Sequence, residues 1–489
     1  MKISCLFLAA TIGIICTVSS AGAESLSNHS KEDSVSLLAR PKTTQEVKIE
    51  KVLSLSLKQA LEIAEQNNQQ LQIAKQQLKA SQIALRASQG SLLPTLNFSA
   101  GVSYQKLASL DYIDSQITNT ANELGEIGQL AVKALSDTSL RNLTTSYVSP
   151  ITATLLLNYN LDVSGARSIS IESVAKQVQI SQLEVKRQSE DIRLATISDY
   201  LTLQETDTLV TIAKAALSNA QEILDDAKNL YAAKVGTNLD VLRTEVLVAN
   251  NNEDLSLSQS LQLNARRRMV QRLNLPETVT VKTTDAVKLA GNWNLSLDES
   301  IVEAYKNRLE LDQIILQEDI FKDQEKLALL SLSPQVNLFG SVSALNILNS
   351  NPNPGINNGY AIGAAVTWNL YDGGVAQAQA DLQAQNEIIN QTRFSQTRSE
   401  IRTQVEQSYN DLQSNLVNIE TSQVARKRAK EALRLSRMGF SAGVVTQLNT
   451  TTAQTDLTKA ETNYLRALIN YNRAFYSLER AVSNTRVNN

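Results

Sequence analysis

The sequence predicts a mainly α-helical chain. Long coiled-coil helices pack as hairpins into a tube, and four β-strands contribute to a small membrane β-barrel. Three observations predict this fold class. Four long stretches lack both glycine and proline, two blocks of residues recur at fixed offsets, and four segments alternate apolar with small or polar residues. The composition agrees with thin walls rather than a thick core: 42% of residues are hydrophobic but only 4% are aromatic, and aromatic rings normally dominate buried area.

The first breaker-free stretch covers residues 166–235, and the others cover 237–275, 292–333 and 375–438. Excluding both breakers over such lengths argues for uninterrupted helices. At about 1.5 Å per residue the first would be about 105 Å long. Ile401, Val405, Tyr409, Leu412, Leu416 and Ile419 step by threes and fours, a narrow stripe suited to helix-on-helix packing. A further helix is expected over residues 56–89.

The duplication supplies the plan. Leu55-Ser-Leu-Lys-Gln-Ala recurs as Leu295-Ser-Leu-Asp-Glu-Ser at an offset of 240, which also carries Pro94 onto Pro334. An offset of 209 carries Asn160-Leu161 onto Asn369-Leu370, Tyr200 onto Tyr409 and Thr237 onto Thr446. The offsets differ by 31, so the first copy holds 31 additional residues, expected within about 106–149. Ser56 with Gln59, and Ser296 with Glu299, have the spacing of a capping box. Thr237 and Thr446 are expected N-caps.

Four segments have a period of two. Their apolar faces start at Leu96, Ile151, Val336 and Tyr360, and the last is expected to run on to Leu370. Each has about the ten-residue length of a membrane-spanning strand. Tyr104, Tyr159, Tyr360 and Trp368 lie near the strand ends, where an interfacial aromatic belt belongs. The alternative is a soluble sheet half-buried against helices. Four strands do not close a barrel, and open edges in lipid leave backbone groups unpaired, so the membrane reading requires several copies to pool their strands.

Residues 1–23 read as a secretory signal peptide: Met1-Lys2, an apolar run and Ala21-Gly22-Ala23. Both cysteines, Cys5 and Cys16, fall within it, so the mature chain is expected to use no disulfide. Residues 24–50 read as a flexible lead-in containing His29, the sole histidine. With that inventory, no glycine-rich phosphate loop and a net charge of −3, the chain shows no catalytic, cofactor or metal residues. It is not expected to be an enzyme or to bind nucleic acid.

The paired strand-to-helix starts (Asn160-Leu161-Asp162-Val163-Ser164-Gly165 and Asn369-Leu370-Tyr371-Asp372-Gly373-Gly374) and the paired turns (Tyr231 to Asp240, Phe440 to Asn449) carry a family resemblance. The chain resembles the TolC family of outer-membrane efflux proteins over about residues 51–484. The resemblance implies a homotrimer with a shared 12-stranded barrel in the outer-membrane lipid of a Gram-negative-type bacterium and an α-barrel in the periplasm. It implies an exit duct for tripartite drug efflux or type I protein secretion, docked to a periplasmic adaptor and an inner-membrane pump or ABC exporter. It implies docking around Tyr231, Lys234, Gly236, Thr237, Gly443 and Thr446, and a gate at the same tips. Asp240 matches the family's latching aspartate, whereas Phe440, Val445, Asn449 and Thr452 stand where tyrosine, arginine and two ring aspartates are usual. Arg243 is a candidate replacement partner for Asp240, and Asp240 also has the position of a simple helix-capping carboxylate.

Two alternatives stay open. The cations from Arg426 to Arg437 are a docking patch or a solvated face near a helix C-terminus. The rival to the duct is an exported structural coiled-coil surface or spacer protein. The expected layout is a first repeat at 51–275, a crossing at 276–294, a second repeat at 295–484 and a tail at 485–489.

Overall fold

A computed structural model describes residues 43–106, 147–348 and 355–483, together with parts of 116–130. The signal peptide, His29, most of the 106–149 insertion and the tail at 485–489 lie outside the described residues. The described chain falls into two compact units, and each draws segments from both sequence repeats. The compact units therefore cut across the repeats.

The first unit holds β1 (Lys51–Leu55), α1 (Leu57–Asn67) and the part of α3 (Ala166–Ala232) beyond Leu194. It also holds α4 (Asn238–Arg272), β4 (Val279–Thr283) and the parts of α7 (Val375–Ser441) and α8 (Gln447–Val482) between Leu416 and Asn470. The second holds α2 (Gln69–Gly90), α5 (Leu297–Asn307), α6 (Leu309–Leu330), the rest of α3, α7 and α8, and a four-stranded sheet. Its strands are β2 (Thr95–Val102), β3 (Pro150–Leu161), β5 (Gln335–Ile347) and β6 (Asn357–Thr367).

Both capping boxes form. Ser56 Oγ accepts from Gln59 N while Gln59 Oε1 accepts from Ser56 N, and Ser296 and Glu299 repeat the exchange. The long helices α3 and α7 have 67 residues each, ending three residues before and three after the expected points. The helix expected over 56–89 is broken at Asn68, which has an extended ψ of 127°. The equivalent Arg308 breaks α5 from α6 in the same way, with ψ 115°. The physical reason is shared. Asn68 Nδ2 donates to the carbonyl of Arg272 at 3.0 Å, and Arg308 Nη1 to that of Ala481 at 3.3 Å. Each break thus serves a carbonyl left free at the end of a returning helix.

In the first unit β1 pairs parallel with β4. Buried Tyr200 is hydrogen-bonded to Leu55 O at 3.0 Å and Asp285 Oδ2 at 2.9 Å. Burial and the Asp285 carboxylate both push its hydroxyl pKa up, so it stays a donor. In the second unit Arg480 joins Asp191 (2.8 Å), Glu310 (2.9 Å) and Glu190 (3.3 Å). Burial pushes the Glu190 carboxyl up.

The sheet has the order β2-β3-β5-β6, antiparallel throughout. Phe98, Leu155, Val342 and Tyr360 are opposite one another along the register, as are Leu96, Leu157, Gly340 and Ile362. One face is therefore apolar across all four strands. The other carries Ser99, Thr154, Ser343 and Gly359 in one row and Asn97, Leu156, Ser341 and Ala361 in the next. None of the residues in these strands is charged. The apolar face is uncovered by the described residues: Tyr360 is 83% exposed and Ile362 86%.

The fourth strand ends at Thr367, so Trp368 and Leu370 lie outside it. The ladder stops because Thr367 pairs with Gln335, and Pro334 before it has no N–H to continue. Trp368 Nε1 instead donates to Leu332 O at 2.9 Å. Tyr104 follows the end of β2, and Tyr360 is the fourth residue of β6 rather than its end. Tyr159 and Trp368 lie at the opposite end of the sheet, beside the helices.

Candidate functional site at the helix-hairpin tips

The turns joining α3 to α4 and α7 to α8 are built by one rule used twice. Lys234 N donates to Tyr231 O and Val235 N to Leu230 O. At an offset of 209, Gly443 N donates to Phe440 O and Val444 N to Gly439 O. This is a Schellman motif, which needs a left-handed residue just past the helix. Gly443 meets the need at φ 72°, but the first turn forces Lys234 to φ 63°.

The close approach that shuts each turn is also handled twice, with the glycine on opposite sides. A Cβ on Gly236 would meet Leu230 Cβ at 3.1 Å, and a Cβ on Gly439 would meet Val445 Cβ at the same 3.1 Å. These are equivalent pairs, and each has one glycine. Gly439→Ala is expected to destabilise the tip by about 1–3 kcal/mol through overpacking. Adding Val445→Gly, the first turn's arrangement, should restore most of the loss, while Lys234→Gly alone should stabilise by about 1 kcal/mol. Thermal unfolding of the detergent-solubilised protein measures all three.

Thr237 caps α4 in a complete box. Its Oγ1 accepts from Asp240 N at 3.2 Å, and Asp240 Oδ2 accepts from Thr237 N and Oγ1 at 3.1 and 2.6 Å. The carboxylate of Asp240 is thus engaged within its own turn. Among the described residues no ion pair joins it to Arg243, whose side chain is exposed. Thr446 caps α8 more weakly, accepting from Asn449 N at 3.4 Å. Asn449 and Thr452 are exposed, at the positions equivalent to Asp240 and Arg243.

Phe440 is not at an open surface. It is 5% exposed and packs with Ile223, Ala227 and Val241, flanked by Leu224, Leu230 and Leu247. It pins the second hairpin to the first, and Val445 is engaged against Gly439. Two of the six residues expected at the gate are therefore taken up inside the chain. Arg437 Nη2 pairs with Glu222 Oε2, Ser441 Oγ donates to Asp226 Oδ2 at 3.3 Å, and Gln447 Nε2 donates to Thr244 Oγ1 at 3.2 Å. Sequence reading missed these three ties, because partners about 200 residues apart have no local spacing.

The cation cluster is partly spoken for. Arg426 stacks on Tyr464 with 4.1 Å to the ring centroid, and Arg434 pairs with Glu431 at 2.7 Å. Lys427, Arg428 and Lys430 line a groove of about 610 Å³ with Asn219 and Leu457.

Duplicated hairpins with an uncharged, one-face-apolar sheet have a match among known families. The family model described as outer membrane efflux protein matches residues 60–275 and 300–484. The chain belongs to this family. Members are outer-membrane exit ducts for efflux or secretion, and both family and fold are those of channels. Nodulation protein T of Rhizobium leguminosarum bv. viciae is 22% identical over 345 residues, which are 68% of this chain and 67% of that protein. A membrane protein of Pseudomonas aeruginosa matches in fold with a TM-score of 0.72 at 15% identity, over 90% of this chain and 91% of its own. The outer membrane protein VceC of Vibrio cholerae matches with a TM-score of 0.68 at 16% identity, over 87% and 95%.

Proposed function

We propose that three copies of this chain close one barrel in the outer membrane and form a passive duct, gated at the hairpin tips in the periplasm. The observation that carries this reading is the uncharged sheet, with its apolar face and two edges, at β2 and β6, that pair with no strand among the described residues. Lipid accepts the apolar face but not the open edges, so copies must join edge to edge. Two copies would supply eight strands, whose interior side chains fill. Three supply twelve, and the small and polar row through Ser99, Thr154, Ser343 and Gly359 then lines water. Tyr104 and Tyr360 toward one end, and Tyr159 and Trp368 at the other, suit belts at the two interfaces.

The gate falls to Asp240, Arg243, Asn449 and Thr452 on the first turns of α4 and α8. Adaptor docking falls to Lys234, Gly236, Thr237, Gly443 and Thr446 on the turns themselves, with an inner-membrane pump or ABC exporter beyond the adaptor. The proposed chain layout keeps a cleaved signal at 1–23 and the insertion at 106–149 as an extracellular loop. The test is membrane extraction followed by planar-bilayer recording. Retention through salt and urea washes, together with single channels, is expected. Release by urea without channels would overturn the duct. Asp240→Ala is expected to raise the opening frequency, and an unchanged frequency and conductance would remove Asp240 from the gate.

A further inference from the structure

The contact between the two hairpins of one chain also specifies how that chain meets a second copy. The hairpins are equivalent at an offset of 209, with α3 and α7 starting and ending at matched residues. Inside the chain, the first hairpin offers Glu222, Asp226 and the apolar pocket at Ala227 and Val241. The second answers with Arg437, Ser441 and Phe440. On the opposite faces Lys228, Tyr231, Glu431 and Leu435 are exposed in the single chain. Shifting every contact residue by 209 gives the pairing that a head-to-tail ring would make between copies.

Glu222 maps to Glu431, and Arg437 maps to Lys228, so the charge pair is retained with both signs. Asp226 maps to Leu435 and Ser441 to Ala232, so a polar pair becomes an apolar pair on both sides at once. Phe440 maps to Tyr231, while its pocket residues Ala227 and Val241 map to Ser436 and Thr450. The ring gains a hydroxyl where the matching site gains two; Thr450 is fully buried and bonded to Ser436 Oγ at 3.2 Å within its own hairpin, so only the half-buried Ser436 is left on the docking face. Two contacts therefore change together across the repeat and the charge pair is kept, while the Gln447–Thr244 tie maps to Asn238 and Ala453 and is lost. Tyr231 is 50% exposed and Leu435 54% exposed in the single chain, and Lys228 is exposed too. Among the described residues Glu431 is ion-paired with Arg434 three residues on, an exposed pair of small worth.

We propose that Lys228, Tyr231 and Ala232 of one copy dock on Glu431, Leu435 and Ser436 of the next, closing the ring of hairpins at the tips. This rests on the reading that copies form a closed duct. It gives Tyr231, otherwise expected at the adaptor, to the neighbouring copy.

Cysteine pairs test it in the full-length protein, since Cys5 and Cys16 lie within the expected signal peptide and leave a cysteine-free background. The mass of the solubilised protein is measured first; a monomer would overturn the duct reading itself. In oligomeric protein, a short bis-maleimide is expected to link Lys228→Cys/Glu431→Cys chains into covalent dimers and trimers. Glu222→Cys/Arg437→Cys should link within single chains only. Oligomeric Lys228→Cys/Glu431→Cys protein that stays monomeric on denaturing gels, or links within one chain, would overturn this pairing and leave the duct intact. As a second readout, Lys228→Glu should raise opening frequency several-fold, and Lys228→Glu/Glu431→Lys should return it toward the parent value. No rescue by the double exchange would also overturn the pairing.

Discussion

Leu155→Arg is expected to keep the chain out of the membrane fraction while leaving it exported. Leu155 sits in the middle of the apolar face, opposite Phe98 on one side and Val342 on the other. A cation at the midplane of a lipid-facing strand costs about 2–4 kcal/mol. Three copies in one barrel would bear that cost three times. Thr154→Arg is the control, one residue away on the polar face, and should insert normally because the proposed barrel turns that face to water. Fractionation after urea washing separates the two outcomes. Equal retention of both variants would show that the face through Leu155 does not meet lipid.

The second large effect is at the tips. Phe440→Ala removes the ring that fills the space among Ile223, Ala227 and Val241. A buried Phe→Ala change costs about 3–5 kcal/mol. Glu222–Arg437 and Asp226–Ser441, both exposed, and the buried Gln447–Thr244 hydrogen bond are then the remaining named ties, and none of them fills the space the ring leaves. The hairpins should separate at their ends while the sheet, in the other compact unit, is unaffected. Bilayer recordings should show more frequent opening, and protease should cut near residues 231–237 and 440–446 without loss of membrane retention. Unchanged opening and cleavage would mean that Phe440 is not what fastens the tips.

Much of this was legible because it is local. The capping boxes at Ser56 and Ser296 depend on residues three apart. The strand faces depend on a period of two, and the helices on the exclusion of Gly and Pro. The duplication added long-range information that a single unrepeated chain would lack. It placed Thr446 by reference to Thr237, and it matched the turn at Gly443 to the one at Lys234. The breaks at Asn68 and Arg308 were not legible. Neither residue is a helix breaker, and each is drawn out of the helix by a carbonyl far along the chain, at Arg272 and Ala481. The end of the fourth strand was misplaced for a related reason. Trp368 and Leu370 fit the alternation, but the partner strand starts just after Pro334, so no donor remained to pair with them.

The candidate site divides in the same way. Family resemblance placed Phe440 and Val445 at the tips without saying what they touch, because correspondence along a chain identifies a place and not what surrounds it. Packing turned Phe440 inward and set Val445 against Gly439. Asp240 was left with two readings, and its hydrogen bonds to Thr237 account for the capping one.

By itself, the sequence determined the elements, their order, their twofold repetition and the absence of charge from the strands, since these follow from side-chain chemistry and spacing. Only the tertiary structure decided which apolar residues share a face of the sheet, which side chains end a helix, and which residues tie one hairpin to the other. Those depend on register and on contacts between residues hundreds of positions apart, and no periodicity encodes them.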